Sequence, residues 1–181
     1  MFEPSSSVCS IAKKNLDEYN IIINNLAVGN KDGTSKFYEY GPSEISSVHK
    51  NDDKEEKKPI SVPIATIDNY CYSNNIDKID FLKIDTEGHD FYVLKGAQNM
   101  LKKHQINYVQ FEYGPSNLFS RIFLKDIFEF IQKEDYEIFR IYPSWIRPIS
   151  KYSHELENFI NVNYVAIAPN PIKSVQGYIR D

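Results

Sequence analysis

Between Ile79 and Ala97 the hydrophobic pattern of the chain switches once, from the near-continuous apolar run Ile79–Ile84 to the helical spacing of Val93, Leu94 and Ala97. The join is Asp85-Thr86-Glu87-Gly88-His89-Asp90. A short apolar run reads as a strand buried on both faces, and a three-and-four spacing reads as one face of a helix. A strand that feeds a helix through a polar turn is the repeating unit of open α/β sheets. Such sheets bind ligands beyond the carboxyl ends of their strands, which is where this acidic turn would lie.

The rest of the chain repeats the alternation. Pro4 and the serines after it start a helix over about Ser5 to Tyr19, with Val8, Ile11, Ala12, Leu16 and Tyr19 on one face. Ile21 to Val28 reads as a buried strand, Asp32-Gly33 as a turn, and Lys36 to Tyr40 as a returning strand. From Ser43 to Lys58 the chain is polar, centred on Asn-Asp-Asp-Lys-Glu-Glu-Lys-Lys, and we expect a solvated, mobile loop. Val62 to Ile67 is expected to be a strand, Thr66 to Tyr72 a short helix, and Asp90 to Lys103 a longer one. Ile106–Phe111 (strand), Ile122–Lys133 (helix), Glu137–Tyr142 (strand) and Asn163–Ala168 (strand) follow. The order predicts an α/β fold with a mostly parallel sheet and helices on both faces. We read residues 1–181 as one domain.

A chain of 181 residues with a net charge of −4 does not suit a nucleic-acid backbone as its main partner, since phosphates are met by clustered Lys and Arg. Its two cysteines, Cys9 and Cys71, form neither a zinc motif nor a disulfide framework, so no metal is expected. Neither an apolar run of roughly 20 residues nor a secretory leader is found, and a cytosolic setting is expected.

Polar residues follow three of the expected strands. Glu3 follows Phe2, the turn Asp85–Asp90 follows Ile84, and Glu112 with Tyr113 follows Phe111. Carboxylates gathered at one sheet edge repel one another unless a cation, a proton or a donor-rich ligand compensates them. Glu3 admits two readings. An acidic residue ending the second strand of a dinucleotide-type fold accepts both ribose hydroxyls; one that precedes a helix also interacts well with the helix dipole.

The stretches Phe-Glu-Pro at residues 2–4, Asn24–Tyr38, Val62–Tyr70, Ile79–Ala97, Tyr108–Tyr113 and Asn163–Pro169 together resemble the FkbM family of methyltransferases over nearly the whole chain. Its central pattern is Lys-Ile-Asp-x-Glu-Gly-x-Glu followed by a helix with Leu-x-Gly-Ala; here Asp90 stands where the family usually has Glu. The resemblance implies a class I, Rossmann-like methyltransferase fold, S-adenosylmethionine as donor, and usually a hydroxyl of a small metabolite or sugar as acceptor. It implies Glu3 at the ribose, Asn25, Leu26, Ala27 and Val28 near the adenine, and Asp85 and Glu87 by the methionine end or the acceptor. Because the sulfonium is already an activated methyl donor, the protein's task is mostly alignment. A base to take the acceptor proton would come from Asp85, Glu112 or His89. Asp85 with Glu112 would alternatively hold a divalent ion, although two ligands are too few to specify one.

In the family a glycine-rich turn closes a first strand ahead of the Phe-Glu-Pro segment. This sequence opens at Met1-Phe2-Glu3-Pro4 and has no GxGxxG-like run. We therefore expect the first strand, its glycine turn and the next helix to be absent. Weak or no S-adenosylmethionine binding by residues 1–181 alone would follow. The rival reading is a non-catalytic remnant of such a domain, acting at most as an interaction module; a third is another nucleotide-binding α/β enzyme.

Overall fold

The computed structural model describes residues 1–39, 46–50 and 59–180. Two sheets form the framework. In the first, β1 (Ala27–Val28) and β2 (Gly33–Phe37) flank β3 (Ile60–Ala65), parallel and antiparallel respectively. The second takes the order β4-β5-β8-β6-β7, from β4 (Ile79–Lys83), β5 (Ile106–Tyr113), β6 (Glu137–Tyr142), β7 (Trp145–Pro148) and β8 (Val162–Ile167). Helices α1 (Ser6–Asn15), α2 (Ile67–Ser73), α3 (Asp90–Gly96), α4 (Gln98–Lys102), α5 (Ser116–Ser120) and α6 (Leu124–Gln132) connect them.

The α/β class holds, but the pairing is more antiparallel than the alternation implied. Among the described strands only β1–β3 and β4–β5 are parallel. After β5 the chain returns as β8 between β5 and β6, and β6 turns directly into β7; both arrangements force antiparallel ladders. The hairpin strand β7, helix α5 and the 3₁₀ segment Pro171–Tyr178 gave no periodic signal long enough to read.

The principal core fills the space between the five-stranded sheet and its helices. Helix α6 shows how the sequence builds it: Leu124, Ile127, Phe128 and Ile131 lie three and four apart, and all are buried. Each contributes about 1.5–3 kcal/mol by leaving water. The Asp126 carboxylate accepts from the Phe123 N–H at 2.9 Å and secures the first turn.

Three local expectations change. The helix expected over Asp90–Lys103 breaks at Ala97, because the Asp68 carboxylate captures the N–H groups of Asn99 and Met100 at 2.9 and 3.0 Å and starts α4 afresh. The apolar run from Ile21 is not a buried strand: Ile21 and Ile22 are 44% and 71% exposed. Among the described residues, pairing along residues 21–24 is limited to Phe2, parallel to Asn24, and to Met1 N, which donates to the Ile22 carbonyl. The first helix stops at Asn15 and does not reach Tyr19. Of the strand expected over Lys36–Tyr40, Tyr40 lies outside the described residues, as do 43–45 and 51–58 of the polar stretch. Within that stretch Ser47 bridges to Tyr38 and tucks against the 85–90 turn.

Candidate functional site

The two sheets present their strand ends to one cavity of about 430 Å³. Its lining includes Glu3, Leu26, Ala27, Val28, Asp85, Thr86, Glu87 and His89. Of the positions singled out from sequence, these converge; Asn25 and Glu112 are not in the lining. The turn that delivers four of them, Asp85, Thr86, Glu87 and His89, is tightly made. Glu87 and Gly88 both adopt positive φ, 54° and 89°. A Cβ on Gly88 would stand 2.5 Å from the Ser116 carbonyl oxygen, so only glycine fits against α5 there. Glu87 is locked in its left-handed conformation by two bonds: its carbonyl accepts from Ser47 Oγ at 3.0 Å and its carboxylate from Ser116 Oγ at 2.9 Å.

Glu3 satisfies one reading and leaves room for the other. Oε1 accepts from the Ser5 N–H at 2.7 Å, the helix-start role, while the residue still borders the cavity. Burial raises its carboxyl above the usual range, opposed by the Ser5 bond. The Asn25 side chain is fully engaged: Nδ2 donates to the carbonyls of Glu3 and Pro4, both at 3.0 Å, and Oδ1 accepts from Ser6 Oγ at 2.8 Å. It fastens the turn that carries Glu3.

Behind the cavity sits a carboxylate whose role the sequence did not disclose. Asp90 is 1% exposed; it accepts from Thr86 Oγ1 at 2.8 Å, Thr86 N–H at 3.3 Å and Glu112 N–H at 3.2 Å. It thus ties the β4 turn to the end of β5. Burial pushes its carboxyl up, against the pull of those three bonds. Glu112 is half-buried, and its carboxyl is raised first by burial and then by Asp85, Glu87 and Asp90, with only Lys83 acting the other way. Lys83 Nζ itself contacts Asp85 Oδ2 at 2.5 Å.

His89, one of the three candidate bases, starts α3 with its side chain largely covered. Its ring stacks on Tyr92 with centroids 4.7 Å apart, and Nδ1 lies 3.1 Å from His49 Nε2. Its Nε2 is buried with no hydrogen-bond partner. Burial, and secondarily His49, lowers its pKa to about 3, so the ring is neutral and weakly basic. No sequence signal connects two histidines 40 residues apart.

Tyr113 and Trp145 lie apart from the cavity lining. The Tyr113 hydroxyl donates to the Glu157 carboxylate, which also accepts from Tyr152 and from the Leu124 and Lys125 N–H groups at the start of α6. Trp145 stacks on Tyr142 at 4.0 Å. Among the described residues no group of three or more His, Cys, Asp and Glu side chains is placed to hold a metal ion, and no helix is long and apolar enough to cross a membrane.

The fold resembles the crystal structure of methyltransferase FkbM from Methylobacillus flagellatus KT, with a TM-score of 0.53 and 16% sequence identity. The match covers 92% of this chain and 35% of that one, so the chain spans about a third of the length of the protein it matches. No curated protein matches the sequence. The sequence model of the methyltransferase FkbM domain matches residues 1–138, well over half of the chain. Sequence model and fold agree over most of the chain, and the chain belongs to the FkbM methyltransferase domain family.

Proposed function

We propose that the 430 Å³ cavity holds S-adenosylmethionine for methyl transfer to a hydroxyl of a small metabolite or sugar. The observation that carries this reading is the convergence of Glu3, Leu26–Val28, Asp85 and Glu87 on one cavity at the ends of their strands. The chemistry of the lining fits the cofactor. Leu26, Ala27, Val28 and Phe37 supply an apolar wall for a flat ring, while three carboxylates suit a ligand rich in hydroxyls and positive charge. The orphaned His89 Nε2 is a buried polar atom in want of a partner.

When bound, the cofactor supplies an activated methyl group. Within this reading Glu3, with Oε1 anchored by Ser5, uses its remaining acceptor capacity for the ribose hydroxyls. Leu26 to Val28 flank the base, and Asp85 and Glu87 face the methionine end. Asp85 and Glu112 stand near the acceptor and draw its proton. The side chain of Asn25, spent on the Glu3 turn, acts through Glu3 and not on the ligand. A cytosolic setting belongs to the same proposal, in keeping with Cys9 and Cys71 as buried free thiols.

Saturation-transfer NMR with S-adenosylhomocysteine detects even millimolar binding and tests the assignment. Transfer to the ribose and adenine protons is expected, with the ribose signals reduced in Glu3→Gln. A folded protein that gives no transfer at about 1 mM ligand refutes it.

A further inference from the structure

Residues 46–50 form one wall of the 430 Å³ cavity, through Ser46, Ser47 and Val48. Three ties hold that wall in place. Ser47 exchanges backbone bonds with Tyr38, its N–H donating at 3.2 Å and its carbonyl accepting at 2.8 Å. Its hydroxyl donates to the Glu87 carbonyl at 3.0 Å and accepts from the His49 N–H at 3.1 Å. The third tie joins two imidazoles: His49 Nε2 lies 3.1 Å from His89 Nδ1, and the His49 ring also lies 5.8 Å from that of Tyr92. Of the three, only the imidazole pair can be undone by a proton in the histidine range.

We propose that His49 is a positioning residue of the cavity: as a neutral ring it fastens residues 46–50 to the Asp85–Asp90 turn through His89, and on gaining a proton it releases that wall and weakens ligand binding. The direction of the bond between the rings decides this. A Cβ on Gly29 would stand 2.9 Å from His89 Nε2, so an α-hydrogen of Gly29 already fills the space beside that nitrogen. A hydrogen on Nε2 would be buried without an acceptor and pressed against it, so Nε2 keeps its lone pair and Nδ1 carries the proton. His89 Nδ1–H therefore donates, and His49 Nε2 accepts. A protonated His49 carries a hydrogen on Nε2 as well, so two donors face each other and the tie is lost. His89 stays neutral throughout, because burial, and secondarily His49, lowers it to about 3. Burial lowers His49 too, so its proton arrives below the ordinary histidine value. The ionisable groups on the elements around it are Asp85, Glu87 and Asp90 of the turn, Tyr92 and Lys95 of α3, Tyr38 and Glu39 after β2, and Lys50 beside it. Among the described residues its ring is hydrogen-bonded to His89 alone. The tie between the rings is independent of the cofactor reading, whereas its effect on a ligand rests on that reading.

The test compares wild type with His49→Gln and His49→Ala. Gln offers an oxygen to His89 Nδ1–H and has no proton to gain, whereas Ala removes the tie at any pH. Hydrogen exchange of the Ser47 and Tyr38 amides, taken as protection relative to the free-chain rate, is followed at about pH 7.5 and about pH 5.5. Wild type is expected to lose protection about 5-fold at the lower pH, the worth of one hydrogen bond, while His49→Gln keeps it at both and His49→Ala is low at both. Glu3 and Glu112, whose raised carboxyls also titrate, are common to all three proteins, so the contrast reports the ring. Saturation transfer to S-adenosylhomocysteine on the same samples should follow the protection. Wild-type protection that ignores pH, or a His49→Gln protein as acid-sensitive as wild type, overturns the proposal. So does saturation transfer that is indifferent to both pH and variant. The expected exchange without transfer in any of the three proteins upholds the fastening and overturns the cofactor reading instead.

Discussion

Asp90 offers the sharpest test of how the site is held, because its two oxygens face different donors. Oδ1 serves the Glu112 N–H, and Oδ2 serves the hydroxyl and N–H of Thr86. In Asp90→Asn the amide keeps its oxygen on Glu112 and turns its NH₂ toward Thr86, whose hydroxyl can reverse and accept. The only bond then lost is the long one from Thr86 N–H, so a destabilisation of about 1 kcal/mol is expected. Asp90→Ala strands both N–H groups and the hydroxyl in a site that is 1% exposed and opens a small cavity, for about 3–5 kcal/mol. Urea unfolding read at constant m-value measures both. An Ala variant no less stable than the Asn variant refutes the idea that Asp90 clamps the two strand ends together.

The same residue makes a pH prediction. Its carboxyl is raised in the folded protein, so between the ordinary carboxylate range and the folded value the native state holds a proton that the unfolded chain has released. Its contribution to stability is therefore full below the unfolded pKa and is lost as pH rises through the folded one. Glu3 and Glu112 are raised as well and act with the same sign, so the difference between wild type and Asp90→Asn reports Asp90 together with the part of the Glu112 shift that Asp90 causes. The wild type should lose stability relative to the variant as pH climbs above the carboxylate range.

Two further perturbations test neighbouring elements. For His89, lowered to about 3, the unfolded chain binds the proton first, so stability should fall as pH drops below about 6.5. An NMR titration should show the ring still neutral at about pH 5, and a midpoint near the ordinary value would refute its burial. Gly96→Ala places a Cβ 1.9 Å from the Gly29 carbonyl oxygen and 3.4 Å from Thr66 Cα, both backbone atoms that cannot swing away. A loss of more than about 3 kcal/mol is expected in the same urea assay, and a near-neutral result would disprove so close a helix–loop approach.

What the sequence disclosed was position along strands. The apolar runs ending at Ile84 and Phe111 are long enough to read, and the rule that ligands bind beyond strand ends then put Glu3, Asp85 and Glu87 together without any knowledge of pairing. What stayed hidden was whatever depends on contacts between segments distant in the chain. Asn25 lies just before β1, and the partners its side chain meets are set by the Glu3–Ser6 turn. Asp68 splits a helix whose own residues show no break, and burial, with His49 from 40 residues away adding to it, keeps His89 neutral. Ile21 and Ile22 look like core and are not, since β-branched residues reveal a liking for strands but not whether a partner is long enough to cover them.

The hidden contacts also order the three candidates for the proton acceptor within the proposed function. His89 has the residue type most often chosen for the task, yet a ring with a pKa of about 3 is a poor base near neutrality. Asp85 borders the cavity, but its charge is compensated by Lys83 directly upon it. Glu112 has a raised carboxyl, first through burial and then through the three carboxylates around it, with Lys83 opposing, so it takes up a proton more readily than an ordinary carboxylate. Within the proposed function, a proton leaving an acceptor at Asp85 has the raised Glu112 carboxyl one strand away, across the parallel pairing of β4 with β5. Asp90, by holding the β4 turn to the end of β5, fixes the spacing between Asp85 and Glu112 on which that proposed division of work depends.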